Sequence, residues 1–178
     1  KPLKTIPGYE KINEILEMMK LSTSDSLLKN NNLAKYIDEH LPIYDVSDIT
    51  NNQIVACLFR DYCFLASAYS LETSHYNLED GKYGIARDEL PPNLSLPITI
   101  LGEKIGTKPW LCYAYGYGLN NAILKEGALN LGDYRSYETI RMFNGHASES
   151  GFINVHVAMN SFTPELISVQ QKILESAY

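Results

Sequence analysis

The sequence predicts an all-α fold, and three observations carry that prediction. Apolar residues recur at the i, i+3, i+4, i+7 spacing of a helix face along most of the chain. Capping residues, prolines and glycines fall at the ends of these runs, where helices start and stop. No segment alternates apolar and polar residues convincingly enough for a strand.

In chain order, Ile12, Ile15, Leu16 and Met19 predict an amphipathic helix over residues 9–20. Leu33, Ile37 and Leu41 predict a second, stopped by Pro42. Thr50 and Gln53 form a capping-box pattern, T-N-N-Q. After it, "IVACLFRDYCFLASAYSLE" predicts a long helix with apolar residues on more than one face, at Ile54, Leu58, Tyr62, Leu65 and Tyr69. Such a helix belongs at the centre of a fold. Residues 74–97, rich in proline and glycine, read as loop. Pro97 opens a short helix to about Lys104, closed by Gly106, and Pro109 opens another through "WLCYAYGYGLNNAILK". Residues 126–147 look irregular, with turns at "NLGDY" and "FNGH". Ser148 then caps a last helix that bends near Pro164 and runs to the final residue without a closing glycine, as in a cut chain.

Composition narrows the function classes. At 178 residues and 45% hydrophobic, the chain can bury a real core. A net charge of −6 without a Lys/Arg cluster argues against a nucleic-acid surface. No apolar leader stands in "KPLKTIPG", and no stretch of about 18 consecutive apolar residues predicts a bilayer span. Three cysteines without a C-x-x-C pair suggest neither a disulfide framework nor a zinc knuckle, so a reducing, cytoplasmic setting is expected. Their apolar surroundings predict inert thiols. Asn93-Leu94-Ser95 matches a glycosylation triplet but such triplets arise often by chance. Tyrosine is the unusual residue, 13 in all and crowded in "WLCYAYGYG"; its apolar body and polar tip suit a core with an embedded pocket. The chain has no G-x-S-x-G, Walker loop or G-x-G-x-x-G pattern.

Three segments, in order, carry a resemblance: "LPPNLSLP" (90–97), "GEKIGTKPWLCYAYGYGLNN" (102–121) and "MFNGHASESGFINVHVAMNSFTPELI" (142–167). Together they resemble the N-terminal part of the indoleamine 2,3-dioxygenase family, haem enzymes that open the indole ring of tryptophan and feed the kynurenine pathway. Upstream, "LAKYIDEHLPIYDVSDIT" fits that family's approach to the long helix. The resemblance implies a small helical domain with its connecting loop over residues 1–108. The first helices of a larger haem-binding domain would follow over 109–178.

By the same resemblance, Tyr113 falls on the family's pocket tyrosine, Gly116 on a small residue above the haem, and Phe152 on the distal phenylalanine. His156 falls where the indoleamine enzymes usually carry serine and related tryptophan dioxygenases place a histidine that meets the indole nitrogen. The implied activity inserts O2 across the indole C2–C3 bond of tryptophan or a related indole, with haem b as cofactor and His156 as the catalytic residue. The proximal iron ligand and the groups that hold the amino acid would lie in a further C-terminal portion or a second chain. Membrane and nucleic-acid partners are not expected. Three alternatives stand beside this: an oxygen-storing, myoglobin-like relative without turnover, a haem enzyme with different indole chemistry, and a helical scaffold without haem.

The residues alone are less specific. Phe152 and His156 are four apart and share a helix face, which would offer a ligand an aromatic wall and one polar group. A neutral imidazole can accept from an indole N–H. A single histidine in an apolar run is more often a core residue with its ring satisfied, and a tyrosine in a buried helix is mostly packing. Ser148 reads as a cap, His40 and His75 as solvated, and His146 as a turn residue near the cap. No carboxylate is placed to complete a non-haem iron triad with His146 and His156.

Overall fold

The computed structural model describes residues 2–76 and 84–177, the side chains of residues 75 and 76 excepted. The fold is mostly helical. Helices α1 (Glu10–Met18), α2 (Leu33–His40), α3 (Asn52–Tyr76) and α4 (Pro92–Ile105) form the first part. A π-helical turn (Tyr113–Gly118) and a two-stranded ribbon of β1 (Ala122–Leu124) and β2 (Tyr137–Thr139) follow. Helices α5 (Ala147–Met159) and α6 (Thr163–Ala177) complete the chain.

The long helix α3 is central, as its wide apolar surface predicts. Leu58, Tyr62 and Leu65 are fully buried, and α1, α2 and α4 all pack on α3. By length and composition Asn52–Ser74 could cross a membrane, but 72% of that window is buried inside the fold. The buried faces of α1 (Ile12, Ile15, Leu16) and α2 (Leu33, Ala34, Ile37) fall where the periodicity places them.

Helix α2 is short, and other helices satisfy both its ends. The buried carboxylate of Glu72 on α3 accepts the Leu33 and Ala34 N–H groups at 2.7 and 3.1 Å. A negative charge at those free amides also complements the helix dipole. At the other end the Asn93 amide donates to the Ile37 and Leu41 carbonyls, both at 2.9 Å. Asn93 is therefore a buried structural residue, which leaves the glycosylation triplet without an accessible acceptor.

Four boundaries differ from the sequence prediction. Asn51, not Thr50, caps α3: its Oδ1 accepts from the Gln53 and Ile54 amides. Helix α4 begins at Pro92 rather than Pro97, because proline at the first helical position gives up an amide that would have no partner anyway. Pro97 is tolerated inside the helix, and Gly106 closes it in the left-handed region at φ 77° with the Thr107 N–H on the Gly102 carbonyl. Ser148 lies in the first turn of α5, whose cap position is His146, held by its amide donating to Asn144 Oδ1. The bend near Pro164 is a short 3-10 turn, Asn160–Phe162, before α6.

The largest correction concerns residues 109–125, predicted as one helix. Only the turn Tyr113–Gly118 and a 3-10 turn at Leu119–Asn121 form before the chain extends into β1. Asn121 explains the switch. Its side chain accepts the Arg141 N–H at 2.7 Å and donates to the Arg141 and Tyr117 carbonyls. This draws the segment against residues 137–141, and Ala122, Ile123 and Leu124 pair antiparallel with Thr139, Glu138 and Tyr137. The expectation of no strand fails here, at three residues per strand.

A buried ionic cluster joins these parts. Asp61 accepts from Arg60 Nε at 2.8 Å and from Arg141 Nε and Nη2 at 2.9 and 2.8 Å. Arg60 also reaches the carbonyls of Leu3 and Asn120, and Arg141 reaches Asn13 Oδ1 and the Lys4 carbonyl. All three charged side chains are essentially excluded from water. Cys57 and Cys63 are buried as free thiols, and burial pushes the Cys63 thiol well up, in keeping with the inert reading.

Candidate functional site

Helix α5 is fastened on one side and open on the other. On its buried side, Asn154 donates to the Tyr137 carbonyl and accepts from the Thr139 hydroxyl at 2.9 Å. Ile153 and Ala158 complete that packed face. The opposite face presents Phe152, Val155 and Met159 to the surface, with Phe152 52% exposed.

Tyr113 on the π-turn meets this open face. Its ring stands perpendicular to the His156 imidazole at 5.6 Å and edge-on to Phe152 at 6.2 Å. Phe152 and His156 are 4.5 Å apart, so the three rings form one group. The cluster continues inward through Tyr117, 5.7 Å from Tyr113, to Phe64 and Phe143 in a stacked set. A cavity of about 350 Å³ lies beside it, lined by Tyr113, Gly118, Leu119, His156 and Met159 among others.

The imidazole has a defined polarity. His156 Nδ1 lies 2.7 Å from the Phe152 carbonyl, which can only accept. Nδ1 therefore carries the proton, and Nε2 of the neutral ring offers a lone pair. The core reading of His156 is half met: one nitrogen is satisfied locally, while the ring lines a cavity.

Of the four residues the sequence singles out, Tyr113, Phe152 and His156 come together. Gly116 lies apart from the cavity lining. It is buried, and a Cβ on it would meet Leu111 Cδ1 at 3.1 Å. Gly118 borders the cavity in its stead. His40 packs at a tilt against Tyr36 at the surface and His146 is exposed, whereas the side chain of His75 lies outside the described residues.

Glu149 is the residue beside the candidate site that sequence reasoning left without a role, although it stands inside the motif "FNGHASESGF". Its carboxylate is buried and accepts the amides of Phe143, Asn144 and Gly145 at 2.8, 2.9 and 3.2 Å. Tyr117 OH donates to the same carboxylate at 3.2 Å. Burial, and then the adjacent Glu149 charge, push the Tyr117 phenol well above its ordinary range, so it stays a neutral donor. Glu149 thus ties the loop before α5 to the aromatic cluster under Tyr113.

That loop has a strict requirement at Gly145. Its φ is +76°, and a Cβ there would sit 2.3 Å from Ser22 Oγ, next to a backbone bond from the Ser22 amide to the Asn144 carbonyl. Gly145→Ala is expected to cost about 2 kcal/mol or more, since left-handed backbone alone costs an alanine roughly 1–2 kcal/mol. Urea unfolding monitored by circular dichroism would measure it, and a change under about 0.5 kcal/mol, the range of a neutral surface substitution, would refute the argument.

A family model described as indoleamine 2,3-dioxygenase matches residues 1–178, the whole chain. The chain belongs to the indoleamine 2,3-dioxygenase family. This membership agrees with the resemblance carried by residues 90–97, 102–121 and 142–167. It places the protein in a haem dioxygenase family. No curated protein matches the chain. Among the described residues, no three His, Cys, Asp or Glu side chains gather where they could hold a metal ion.

Proposed function

We propose that this chain forms the distal half of a haem dioxygenase site that inserts both atoms of O2 across the indole C2–C3 bond of tryptophan or a close relative. In the overall change the C2–C3 bond breaks and each carbon keeps one oxygen, giving an N-formylkynurenine-type product. The observation that carries this reading is the meeting of the Tyr113, Phe152 and His156 rings beside an open cavity that Tyr113 and His156 line, in a chain whose whole length matches the family.

The residues present fit one face of a flat macrocycle. Phe152, Val155 and Met159 form an exposed apolar surface on α5, and His156 is committed through Nδ1 to the Phe152 carbonyl. The chain would supply a wall of the haem site, and the side chain that holds the iron would come from a further C-terminal portion or a second chain. Haem, when bound, supplies the iron at which dioxygen is activated. Phe152 and Tyr113 hold a planar substrate by its faces and edges and exclude water from it. His156 Nε2 would accept the indole N–H and so hold the ring in one orientation.

Haem-reconstituted full-length protein is expected to show a Soret band and to consume the indole. His156→Ala would lower kcat/KM about tenfold, the value of one lost hydrogen bond of roughly 1.4 kcal/mol, with the Soret band retained. Absence of both the band and turnover would overturn the proposal. A stable oxygenated spectrum without indole consumption would favour the oxygen-storing alternative.

A further inference from the structure

A second cavity lies on the other side of the aromatic cluster, between α3 and the segment joining α1 to α2. It measures about 210 Å³, and Leu21, Leu28, Ala68, Leu71 and Phe143 form walls that are carbon almost throughout. Leu21 and Leu71 are exposed and make its rim, whereas Ala68 is buried at its base. Two polar side chains reach it. Glu72 is already saturated by the Leu33 and Ala34 amides and by Arg87 at 3.1 Å, so no cation is needed to balance its charge. Ser67 adds one hydroxyl.

These features select the occupant. An apolar cavity of about 150 Å³ stays dry and takes benzene, so 210 Å³ leaves room for a second fused ring. The saturated carboxylate disfavours an ionic ligand, because a charge brought here would lose hydration and find no free partner. The space is also far too small for a protein partner, whose stable interfaces bury on the order of 1,000 Å² or more. We propose that this cavity is a binding site for a small, neutral, apolar molecule of one or two fused rings, and that its occupancy is transmitted to Tyr113 through Phe143 and Tyr117.

Phe143 is the partition between the two regions. Its ring lines the cavity on one side, and on the other it borders a cleft shared with Leu111, Tyr113 and Tyr117. It stacks on Phe64 at 4.7 Å and runs nearly parallel to Tyr117 at 6.3 Å, with Tyr113 next in line. Its own backbone is fixed at both groups, the carbonyl by the Leu21 amide and the N–H by Glu149. A ligand against the ring therefore cannot move the chain freely. It acts by tilting the ring, and a close-packed stack passes a tilt to its neighbour.

Neither half of this inference requires haem, so its test is independent of the proposed dioxygenase activity. The purified chain would be titrated with naphthalene while the Ala68 and Leu28 methyls and the Phe143, Tyr117 and Tyr113 rings are followed by NMR. Saturable shifts at Ala68 and Phe143 are expected, extending to Tyr117 and Tyr113. Ala68→Leu fills the cavity and should weaken binding at least tenfold. Leu71→Gln, at an exposed position that leaves the core intact, should weaken it several-fold. Shifts that fail to saturate, or that neither variant changes, would overturn the site. Saturable shifts confined to Ala68 and Phe143 would overturn the transmission to Tyr113.

Discussion

Asp61→Ala is expected to remove the cooperative unfolding transition of this protein, or to move it to a far lower urea concentration. Asp61 is the only carboxylate fully buried with Arg60 and Arg141 among the described residues, and it accepts three hydrogen bonds from them. Glu17, 3.4 Å from Arg141, is partly exposed and cannot replace it. Alanine would leave two guanidinium groups out of water with carbonyl and amide acceptors and, for Arg141 alone, the long contact to Glu17. Breaking one buried pair costs about 3–5 kcal/mol, and a whole domain has roughly 5–15 kcal/mol of stability. Circular dichroism against urea gives the answer. A variant within about 1 kcal/mol of the parent, the size of an exposed salt bridge, would show that the cluster is not a true buried ion pair.

Glu149→Leu should have the next largest effect, and it should be felt in two places. Three backbone amides and one phenol lose their acceptor together. Each orphaned donor costs about 1–3 kcal/mol when water cannot reach it. The loop is only partly buried, so a total of about 3 kcal/mol is expected. The second effect is electrostatic. Without the carboxylate the Tyr117 phenol keeps the upward push of burial, its largest cause, but loses the charge and hydrogen bond that add to it. Ultraviolet titration should therefore show one tyrosine ionising at lower pH than in the parent. Glu149→Gln, which keeps one carbonyl acceptor, should fall between the two in stability. An unchanged tyrosine titration in Glu149→Leu would refute the link between the loop and the aromatic cluster.

How legible the molecule is from sequence follows from the range of the forces involved. Helices α1, α2 and α3 are readable because a periodic apolar face needs only its own segment, as with Ile12, Ile15 and Leu16. The start of α4 is hidden because Pro91 and Pro92 look like loop until the second is recognised as a first helical residue. Residues 109–125 mislead for a different reason. Their local pattern is helical, but Asn121 is captured by Arg141, twenty residues away, and a tertiary contact overrides a local preference.

The site divides along the same line. Phe152 and His156 are legible because four-residue spacing puts them on one face, and Tyr113 because the family resemblance singles it out. The displacement of the cavity lining from Gly116 to Gly118 depends on a π-turn that no spacing rule announces. The pair Arg60–Asp61 did leave a signal: two charges set in an otherwise apolar run, and such a charge is either paired or poorly placed. Glu149, between Ser148 and Ser150, leaves no such signal.

The ionic cluster has a kinetic consequence. Arg141 bonds to the Lys4 carbonyl 137 positions earlier and to Asn13 128 positions earlier. A helix-rich chain ordinarily folds fast because its contacts are local. Here the last bonds of the core close loops nearly as long as the chain itself, and the entropy of that closure must be met before the cluster repays it. Secondary structure and hydrophobic collapse can form early, but the cluster closes only when Lys4 and Asn13 meet Arg141 beside Asp61. This long closure is expected to slow folding relative to a bundle whose contacts are local.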